Sequence, residues 1–524
     1  MVTCLADLFQ SRWCSWVSRL SVAFASLLTV GIIVFAQPVA AANYPLELVS
    51  PRQAGTAPAA GFEVIPAGHR IFKAYPGLPY NIRAVVIGGA YPFTFALANA
   101  PAGMSINAST GEINWPDPAG TTVTPTITVT DSEGTRVSSP WAITVTTEGF
   151  KFVSPSGNDS AAGTIDSPWR TLLKLYNSSS SSDIVYFRTG TYTSDGIPRT
   201  SIGSAWERVE FGPSRSARWL AYPGETPVFN FGYVAGTDPS AIIRFMNNYS
   251  YPIYLDGLEG RNFRNIGFQI VSSSSNSNYT VLRRLKIHDM IQGVDGENPA
   301  GIMFTAGYTG ASQYAAIQDS EFYRMNGGGG LKIYSQKKLV IENNIFRDSS
   351  YGFDLKGHCP RFDVRANTFT TITEKALFGN MHPANDEPVN GELRFNNINT
   401  PNAEVSLDVN QDSLASEVFS HRNTVVGNVW VRFVESTDGP FTFSNNVIVN
   451  NNSDTPQGAR VTYYVVSDPS RIILRDNLSG APSAGIVDSN GFLTANYQRY
   501  LGTHGHQIGV APDRPNPPSG VVVE

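Results

Sequence analysis

Two patterns of apolar and polar positions divide the chain into unlike parts. From about Phe62 to Thr147, short alternating runs rich in β-branched residues are separated by turn sequences such as GGAYP at 88–92 and DSEG at 131–134. Strand signals that recur at intervals of about 8–12 residues are typical of a β-sandwich. Beyond residue 148 the alternating runs continue with a longer repeat. The pattern predicts an all-β protein built from two architectures.

One short motif recurs through the C-terminal two-thirds of the chain. The segments IQDSEF, IENNIF, VRANTF, LRFNNI, SHRNTV, FSNNVI and LRDNLS align on a polar residue at intervals of 23–31 residues. A period near 23–24 residues is typical of one coil of a parallel β-helix, in which short strands alternate with turns. Because Asn tolerates the left-handed conformation of a turn, and stacked amides can hydrogen-bond along the axis, we expect an asparagine ladder. Its aligned positions are Ser320, Asn344, Asn367, Asn397, Asn423, Asn446 and Asn477.

Two segments resemble known families. The stretch YPFTFALANAPAGMSINASTGEINWPDPAG, followed by TPTITVTDSEGTRVSSPWAITVT, resembles the Ig-like (cadherin-like) repeats of bacterial surface and secreted proteins, which implies a spacer or an adhesive module. The residues that keep the order and spacing of those repeats are Pro101, Gly103, Met104, Thr110, Gly111, Ile113 and Trp115. The segment FVSPSGNDSAAGTIDSPWRTLLKLYN, followed by DIVYFRTGTYT, resembles the entry of secreted right-handed parallel β-helix proteins of the pectate lyase superfamily. That resemblance implies a short capping helix from Trp169 to Tyr176.

The N-terminal residues have the pattern of a secretory signal peptide. Arg12 and Arg19 precede an apolar run, and small residues at Ala40 and Ala42 follow it. An uncleaved membrane anchor is the alternative. Cleavage would leave Cys359 as the one cysteine, so a hydrophobic core rather than disulfides must supply the stability. We expect a bacterial protein that is secreted or held in the periplasm or cell envelope, monomeric, and without a membrane span after cleavage.

The expected fold class is all-β, with an N-terminal Ig-like β-sandwich followed by a right-handed parallel β-helix. The sandwich is expected to unfold independently of the coils. The expected boundaries are 1–42 for the signal peptide, 43–60 for a linker, 61–147 for the sandwich, 148–500 for the β-helix and 501–524 for a tail.

Charge is scarce in this sequence. Charged residues make up 15% of the chain, hydrophobic residues 41%, and the formal net charge is −5. Nucleic-acid-binding proteins normally carry a basic footprint that is missing here. Nucleic acid is therefore not an expected partner. The resemblance to the pectate lyase superfamily implies a polysaccharide partner instead, bound along the long outward strand faces.

Strict alternation in the later coils predicts which side chains share the outward face. The residues expected to point inward are Leu331, Phe353, Leu355, Val405, Leu407, Val429 and Val431. The opposite face would carry Lys332, Asp354, Lys356, Ser406, Asp408, Trp430 and Arg432. Stacked strands lie about 4.8 Å apart, so Lys332 and Lys356 are expected to be neighbours on adjacent coils. The long loop at 379–392 would bring His382 and Asn385 beside this face as one wall of a groove.

Such a face suits β-elimination on a uronic acid sugar. The reaction needs a cation for the C6 carboxylate and a base for the C5 proton, and a lysine becomes a base more readily beside a second cation. The segment GFDLKG resembles the base-bearing strand of the chondroitinase B and alginate lyase family, which implies Lys356 as the base. The shared outward face adds Lys332, Asp354 and Arg432 as further candidate catalytic residues. Trp430 would stack on a sugar ring, with Asp408, His382 and Asn385 as further substrate contacts.

The same resemblance implies acidic metal ligands on the coil before the base and an arginine one coil after it. This sequence has Lys332 and about Gly379 at those places. A bound Ca²⁺ would therefore need loop carboxylates, either Asp386 and Glu387 or Asp295 and Glu297.

Three functions remain open at this stage. The first is a polysaccharide lyase. The second is a non-catalytic polysaccharide-binding surface or matrix protein, in which Asp354 simply pairs with Lys332. The third is an inverting glycoside hydrolase that uses Asp354 and Asp408, expected two coils and roughly 9–10 Å apart, at the edge of the inverting window of about 6.5–9.5 Å.

Overall fold

The computed structural model describes residues 42–55, 65–202, 206–232, 241–246, 251–271, 278–293, 298–305, 313–381, 388–409, 416–434, 441–449, 461–466, 469–480, 482–500 and 505–506. Within these ranges, no helix is long and apolar enough to cross a membrane. Several sequence-based expectations fall outside them, namely almost all of the signal peptide, the loop residues His382, Asn385, Asp386 and Glu387, and the pair Asp295 and Glu297.

The N-terminal domain consists of short, mainly antiparallel sheets around a core that contains Trp115 and Trp141, both fully buried. Two of its strand pairs are parallel, Lys73–Ala74 with Ile143–Val145 and Ala54–Gly55 with Ile65–Pro66. Apolar residues alternate with polar ones, as in Thr126–Thr130, where Ile127 and Val129 point into the core. Its strands are Glu47–Ser50, Ala54–Gly55, Ile65–Pro66, Lys73–Ala74, Tyr80–Arg83, Val85–Ile87, Thr94–Ala98, Ser105–Ile106, Glu112–Trp115, Thr122–Val123, Thr126–Thr130, Arg136–Pro140 and Ile143–Val145, with a 3₁₀ turn at Arg70–Phe72.

The rest of the chain coils into a right-handed parallel β-helix, which confirms the expected fold class. In the described residues, one parallel sheet has 12 strands. They are Phe150–Val153, Ile184–Phe187, Arg218–Ala221, Tyr254–Asp256, Asn278–Arg283, Gln313–Gln318, Lys338–Glu342, Arg361–Arg365, Asn390–Arg394, Glu417–His421, Phe441–Ser444 and Ile472–Arg475. Inside the coils, Phe322, Phe346 and Phe369 stack at centroid distances of 5.1 and 4.9 Å, one ring per coil.

The second sheet of the β-helix has 18 strands in the described residues and bends around the remaining faces of the coils. Its strands are Gly190–Tyr192, Thr200–Ile202, Trp206–Phe211, Pro227–Asn230, Ala241–Met246, Glu259–Arg264, Ile266–Val271, Lys286–Gln292, Ala300–Thr305, Glu321–Met325, Gly329–Tyr334, Ile345–Gly357, Thr368–Met381, Asn397–Val409, Thr424–Val434, Val447–Val449, Val461–Val466 and Leu478–Gly480. Short 3₁₀ turns follow at Pro469–Arg471, Pro482–Ala484 and Ala495–Tyr500.

The capping helix forms at Leu172–Ser178 rather than at Trp169–Tyr176. It begins later because Thr171 is its N-cap and accepts a hydrogen bond from Lys174 N through its hydroxyl oxygen. Leu172 and Leu175 are buried in the core of the first coils, as a cap over an open end requires.

The asparagine ladder is present, with one position corrected. Asn344 Oδ1 accepts from Ser320 N, and Asn367 Oδ1 accepts from Asn344 N, each at 2.9 Å. The next rung is Asn396, whose Oδ1 accepts from Asn367 N at 3.0 Å, so the expected rung Asn397 is wrong. The ladder then continues through Asn423, Asn446 and Asn477.

The expected linker is in part a strand of the sandwich. Glu47–Ser50 pairs antiparallel with Val85–Ile87, and the Glu47 carboxylate lies 2.6 Å from Lys338 Nζ on the β-helix. The expectation of a free linker over 43–60 is therefore corrected for the described residues 43–55, because apolar Leu48 and Val49 are buried in the sandwich core.

The sandwich packs against the outer face of the 12-stranded sheet. Arg83 pairs with Asp319 and, at 3.2 Å, with Glu342. Gln318 Nε2 donates to Ala84 O at 3.0 Å, and Arg394 Nη2 donates to Gly88 O at 3.1 Å. The apolar core of the sandwich is continuous with four β-helix residues, Tyr279, Tyr314, Ala316 and Val340. The outer face of the 12-stranded sheet is therefore buried in an interface with the sandwich. We call this interface between the two domains the seam.

Candidate functional site

The predicted site lies on the 18-stranded sheet. Leu331, Phe353 and Leu355 are buried in the core, which confirms the predicted alternation in the strands Gly329–Tyr334 and Ile345–Gly357. Val405 and Val429 are buried as well. The strands thus place Lys332, Asp354 and Lys356 together on the outward face.

The register between the two strands differs from the expectation. Lys332 lies directly opposite Asp354, and Tyr334 lies opposite Lys356. The two lysines are therefore offset by two residues rather than stacked as direct neighbours, so that expectation is wrong. The connecting turn sets this register, and a pattern of alternation within one strand cannot reveal it.

Asp354 bridges the two lysines. Its Oδ2 lies 3.3 Å from Lys332 Nζ and 3.5 Å from Lys356 Nζ. The side chains of Lys332, Asp354 and Lys356 are 13%, 14% and 24% exposed. Two ammonium groups around one carboxylate carry a net charge of +1, which suits a ligand with a single negative charge per recognised unit. We call these three residues the lysine triad.

Two further residues extend the lysine triad. Asn298 Oδ1 accepts hydrogen bonds from Lys332 Nζ at 3.1 Å and from Tyr334 OH at 3.0 Å. The Tyr334 ring also faces Lys356, whose Nζ is 6.0 Å from the ring centroid. Alternation in GLKIY could have placed Tyr334 on this face. Asn298 gives no such signal, because it lies outside the strands, just before Ala300–Thr305, with a φ of 57°.

Asp354 is an ionisable group of the site with a shifted pKa. Burial raises the pKa of Asp354 above its ordinary value, although Lys332 and Lys356 both act to lower it. Its second oxygen, Oδ1, is buried and has no hydrogen-bond partner among the described residues. The carboxylate is therefore held by the two lysines through its other oxygen, Oδ2.

Later coils continue the same face at the level of the backbone. Lys356 lies opposite Asn380, Asn380 opposite Asp408, and Asp408 opposite Arg432. Arg432 is thus three coils from Lys356, as expected. The residue one coil after Lys356 is Asn380 rather than Gly379, which corrects that expectation by one position.

Trp430 belongs to the neighbouring row, aligned through Ser406 and Phe378 with Asp354. Asp408 is consequently diagonal to Asp354, two coils along the axis and two residues along the strand. Their backbone positions are about 12 Å apart, beyond the window of about 6.5–9.5 Å between the carboxyl groups of an inverting hydrolase. The register thus weakens the hydrolase alternative.

Cys359 and His358 do not belong to the site. Cys359 is fully buried in the core of the coils, and burial raises the pKa of its thiol to about 11. A thiol in that state is a poor nucleophile at neutral pH. His358 is 1% exposed, and its backbone N donates to Ser335 Oγ at 3.1 Å.

The donors on this face do not fit a metal ion. No group of three or more His, Cys, Asp or Glu side chains in the described part of the chain is arranged to hold one. On the coil before the proposed base, Lys332 contacts the Asp354 carboxylate, and an ammonium group repels a cation. The loop carboxylates expected to hold Ca²⁺ lie outside the described residues.

Comparisons with known proteins place one domain in a family. Residues 69–146 match the family model for a putative Ig domain, and no curated protein gave a match. Among solved structures, the chain is similar to a rhamnogalacturonan lyase, with 15% identity and a TM-score of 0.36 over 68% of this chain and 99% of that one. It is similar to pectate lyase Pel9A, with 16% identity and a TM-score of 0.37 over 67% and 90%.

A third similar structure is the Yersinia enterocolitica Family 28 exopolygalacturonase, with 12% identity and a TM-score of 0.33 over 80% of this chain and 98% of that one. Identities this low leave the reaction of the present chain open. Its own strand registers define the class: an Ig-like domain seated on a right-handed parallel β-helix. This fold class does not by itself assign a function to the lysine triad on the outward face.

Proposed function

We propose that this chain is an exported carbohydrate-active protein that cleaves an acidic, uronate-containing polysaccharide by β-elimination at the lysine triad. The observation that supports this proposal is the triad itself, with two partly exposed ammonium groups within 3.5 Å of one carboxylate oxygen. Charged residues are only 15% of the chain. Three of them side by side on adjacent strands of one sheet face therefore form a distinct surface. Export, a monomeric state and a Ca²⁺ ion bound by the loop carboxylates stay predictions.

The contacts divide the roles of the two lysines. Lys332 is held by two acceptors, Asp354 Oδ2 and Asn298 Oδ1. It is the cation suited to neutralise the C6 carboxylate of the sugar, because its hydrogen bonds stabilise the charged form. Lys356 is more exposed and lies farther from Asp354. In its neutral form it is the group suited to take the C5 proton.

In the proposed elimination, each bond that breaks is matched by a bond that forms. Lys356 removes the C5 proton, the electron pair of the C5–H bond forms the C4=C5 double bond, and the C4–O bond breaks. The leaving oxygen takes a proton from solvent or from the ammonium of Lys356. Neutralisation of the C6 carboxylate by Lys332 stabilises the negative charge that develops beside it.

A non-catalytic polysaccharide-binding protein is the second candidate. One specific contact favours it, since one oxygen of the Asp354 carboxylate lies within 3.5 Å of the amino groups of both lysines. Two permanently charged lysines would bind a polyuronate without removing a proton from it.

A substrate panel separates these functions. The exported protein is incubated with acidic and neutral polysaccharides, while ultraviolet absorbance reports unsaturated products and a second assay reports reducing ends. A lyase raises both signals on a polyuronate, and a hydrolase raises reducing ends alone. A binder raises neither signal but is retarded in a gel that contains the polymer. Absence of unsaturated products on every acidic polysaccharide would remove the lyase proposal.

A further inference from the structure

A second cluster of two cations around one carboxylate lies on the same sheet. Arg208 and Glu210 are on the strand Trp206–Phe211, and Glu210 is directly opposite Arg244 on the next coil. The intervening residues Val209 and Phe211 are buried in the core, so alternation directs the charged residues outward. We call Arg208, Glu210 and Arg244 the arginine triad.

The two triads are linked by one row of residues that lie directly opposite each other on successive coils. Arg244 lies opposite Gln269, Gln269 opposite Met303, and Met303 opposite Lys332. Three strand spacings therefore separate Arg244 from Lys332, which is about 14 Å along the axis. A linear polymer that follows the axis from the lysine triad would reach the arginine triad.

The arginine triad retains unused hydrogen-bond donors. Glu210 Oε2 lies 3.4 Å from Arg208 Nε and 3.7 Å from Arg244 Nε. Both Nε atoms are buried and have no hydrogen-bond partner among the residues that the structure describes. Buried donors without partners are costly. The side chains of Arg208 and Arg244 are 25% and 17% exposed, so a ligand carboxylate can reach their guanidinium groups, which bind carboxylates through two parallel hydrogen bonds.

Two other outward arginines of the β-helix have closer partners. Arg347 Nε donates to Glu321 Oε1 at 2.7 Å, and Arg324 Nε donates to Asp289 Oδ1 at 2.5 Å. Arg261 is like the arginine triad, because its Nε is buried without a partner among the described residues and its Nη1 lies 3.6 Å from Glu259 Oε1. What distinguishes the arginine triad is that two such guanidinium groups flank one carboxylate.

A polar residue and an apolar cluster lie along the row between the two sets of cations. The row runs from Arg244 through Gln269 and Met303 to Lys332. Met303 forms a small apolar cluster with Ile242 and Ile266, and Tyr334 packs against it. Cations at both ends of this stretch match a polyuronate better than a neutral glycan, because a polyuronate carries a carboxylate on each sugar.

We propose that the arginine triad is a remote subsite that binds a second carboxylate of the same polyuronate chain. This inference rests on the proposed function, since it assumes that the lysine triad holds the reacting sugar. It also specifies that function further: the protein acts on internal bonds of long chains, and short oligosaccharides that fill only the lysine triad are poorer substrates.

Chain-length dependence of the kinetics tests the subsite. The value of kcat/KM is measured on a short oligouronide (a trisaccharide) and on the long polymer for the wild type, Arg244→Gln and the control Arg347→Gln. We expect Arg244→Gln to lose about tenfold on the polymer, as for one hydrogen bond between charged groups, and to match the wild type on the trisaccharide. Arg347→Gln should match the wild type on both. An equal loss on both substrates, or no loss on the polymer, would overturn the subsite.

Two additional measurements keep the outcomes distinct. Thermal unfolding checks that Arg244→Gln is folded, and Arg208→Gln, which alters a more exposed residue, serves as a second variant. If the wild type cleaves no polyuronate, the lyase proposal fails, and gel retardation by the polymer then tests the subsite alone. Weaker retardation of Arg244→Gln than of the wild type would support the subsite. Equal retardation of both proteins, or none, would overturn it.

Discussion

At the level of single residues, the site depends on which charged side chains lie opposite each other on adjacent coils. The sequence suffices to place Lys332, Asp354 and Lys356 on one face, because alternation within a strand is strict. It does not reveal that Asp354, rather than Lys356, lies opposite Lys332, since that register is set by turns between coils. Nor does it reveal Asn298, which lies outside the strands with a φ of 57° and contacts Lys332.

Lys332→Gln is expected to separate binding from chemistry. The variant removes the ammonium that Asp354 and Asn298 hold in place, while Lys356 remains. We expect KM for a polyuronate to rise by about tenfold or more, as for the loss of a charged hydrogen bond, with a smaller change in kcat. Steady-state kinetics measure both. A fall in kcat at constant KM would show that Lys332 does not bind the ground-state carboxylate.

At the element scale, the ladder shows how far a repeat can be predicted. The period and the stacking of Asn344, Asn367, Asn423 and the later rungs follow from the sequence. The motif FNN contains two adjacent asparagines, Asn396 and Asn397. The prediction that Asn397 forms the rung was wrong, because Asn396 accepts the hydrogen bond from Asn367 N. The left-handed residue of each turn is the one before the rung, even where it is Ala366 or Phe395. The rung thus contributes hydrogen bonds rather than backbone freedom.

Asn396→Ala should therefore destabilise the protein far more than Asn397→Ala. The Asn396 side chain is buried, accepts from Asn367, and donates to Val364 O and Asn423 Oδ1. Asn397 donates one hydrogen bond, to Asn490 O. We expect about 2–4 kcal/mol for the first substitution, from several buried groups left unsatisfied, and about 1 kcal/mol for the second. Chemical denaturation measures both, and equal losses would contradict the ladder assignment.

At the scale of the whole molecule, the two domains share a buried ionic seam. Arg365 and Arg394 of the β-helix are each 1% exposed, and Arg394 donates to the carbonyl oxygens of Gly88 and Gly89 in the sandwich. Sequence patterns indicate where each domain begins but carry no signal for a contact between them. Independent unfolding was expected because the sequence gives no sign of this contact between the domains.

The sandwich and the coils should instead unfold in one transition. Removal of residues 43–147 would expose the apolar residues Tyr279, Tyr314 and Val340 and leave buried arginines without their carbonyl acceptors. We expect a fragment that starts at residue 148 to be insoluble or unfolded. Scanning calorimetry of the mature protein tests this, because two separate transitions would contradict a shared seam.

Acid should weaken the seam in a defined range. The cations Arg365 and Arg83 lower the pKa of buried Glu342 from 4.5 to about 2. Since the folded state holds the carboxylate more strongly, its stabilisation is full above about pH 4.5 and is lost as the pH falls toward 2. Thermal unfolding against pH should show a shallower decline for Glu342→Gln than for the wild type. Glu321→Gln, a change at a more exposed ion pair, is the control, and parallel curves for all three proteins would contradict the assignment.

The most direct test of the account is the initial rate of ultraviolet absorbance increase when Lys356→Ala is mixed with a polyuronate that the wild type cleaves. We expect a loss of at least about 10²-fold to 10⁴-fold, as for removal of a general base. We also expect an unchanged unfolding temperature, because the side chain is partly exposed and the carboxylate that it contacts, Asp354, keeps Lys332. Wild-type rates in a folded Lys356→Ala protein would contradict the central claim that the lysine triad carries the chemistry.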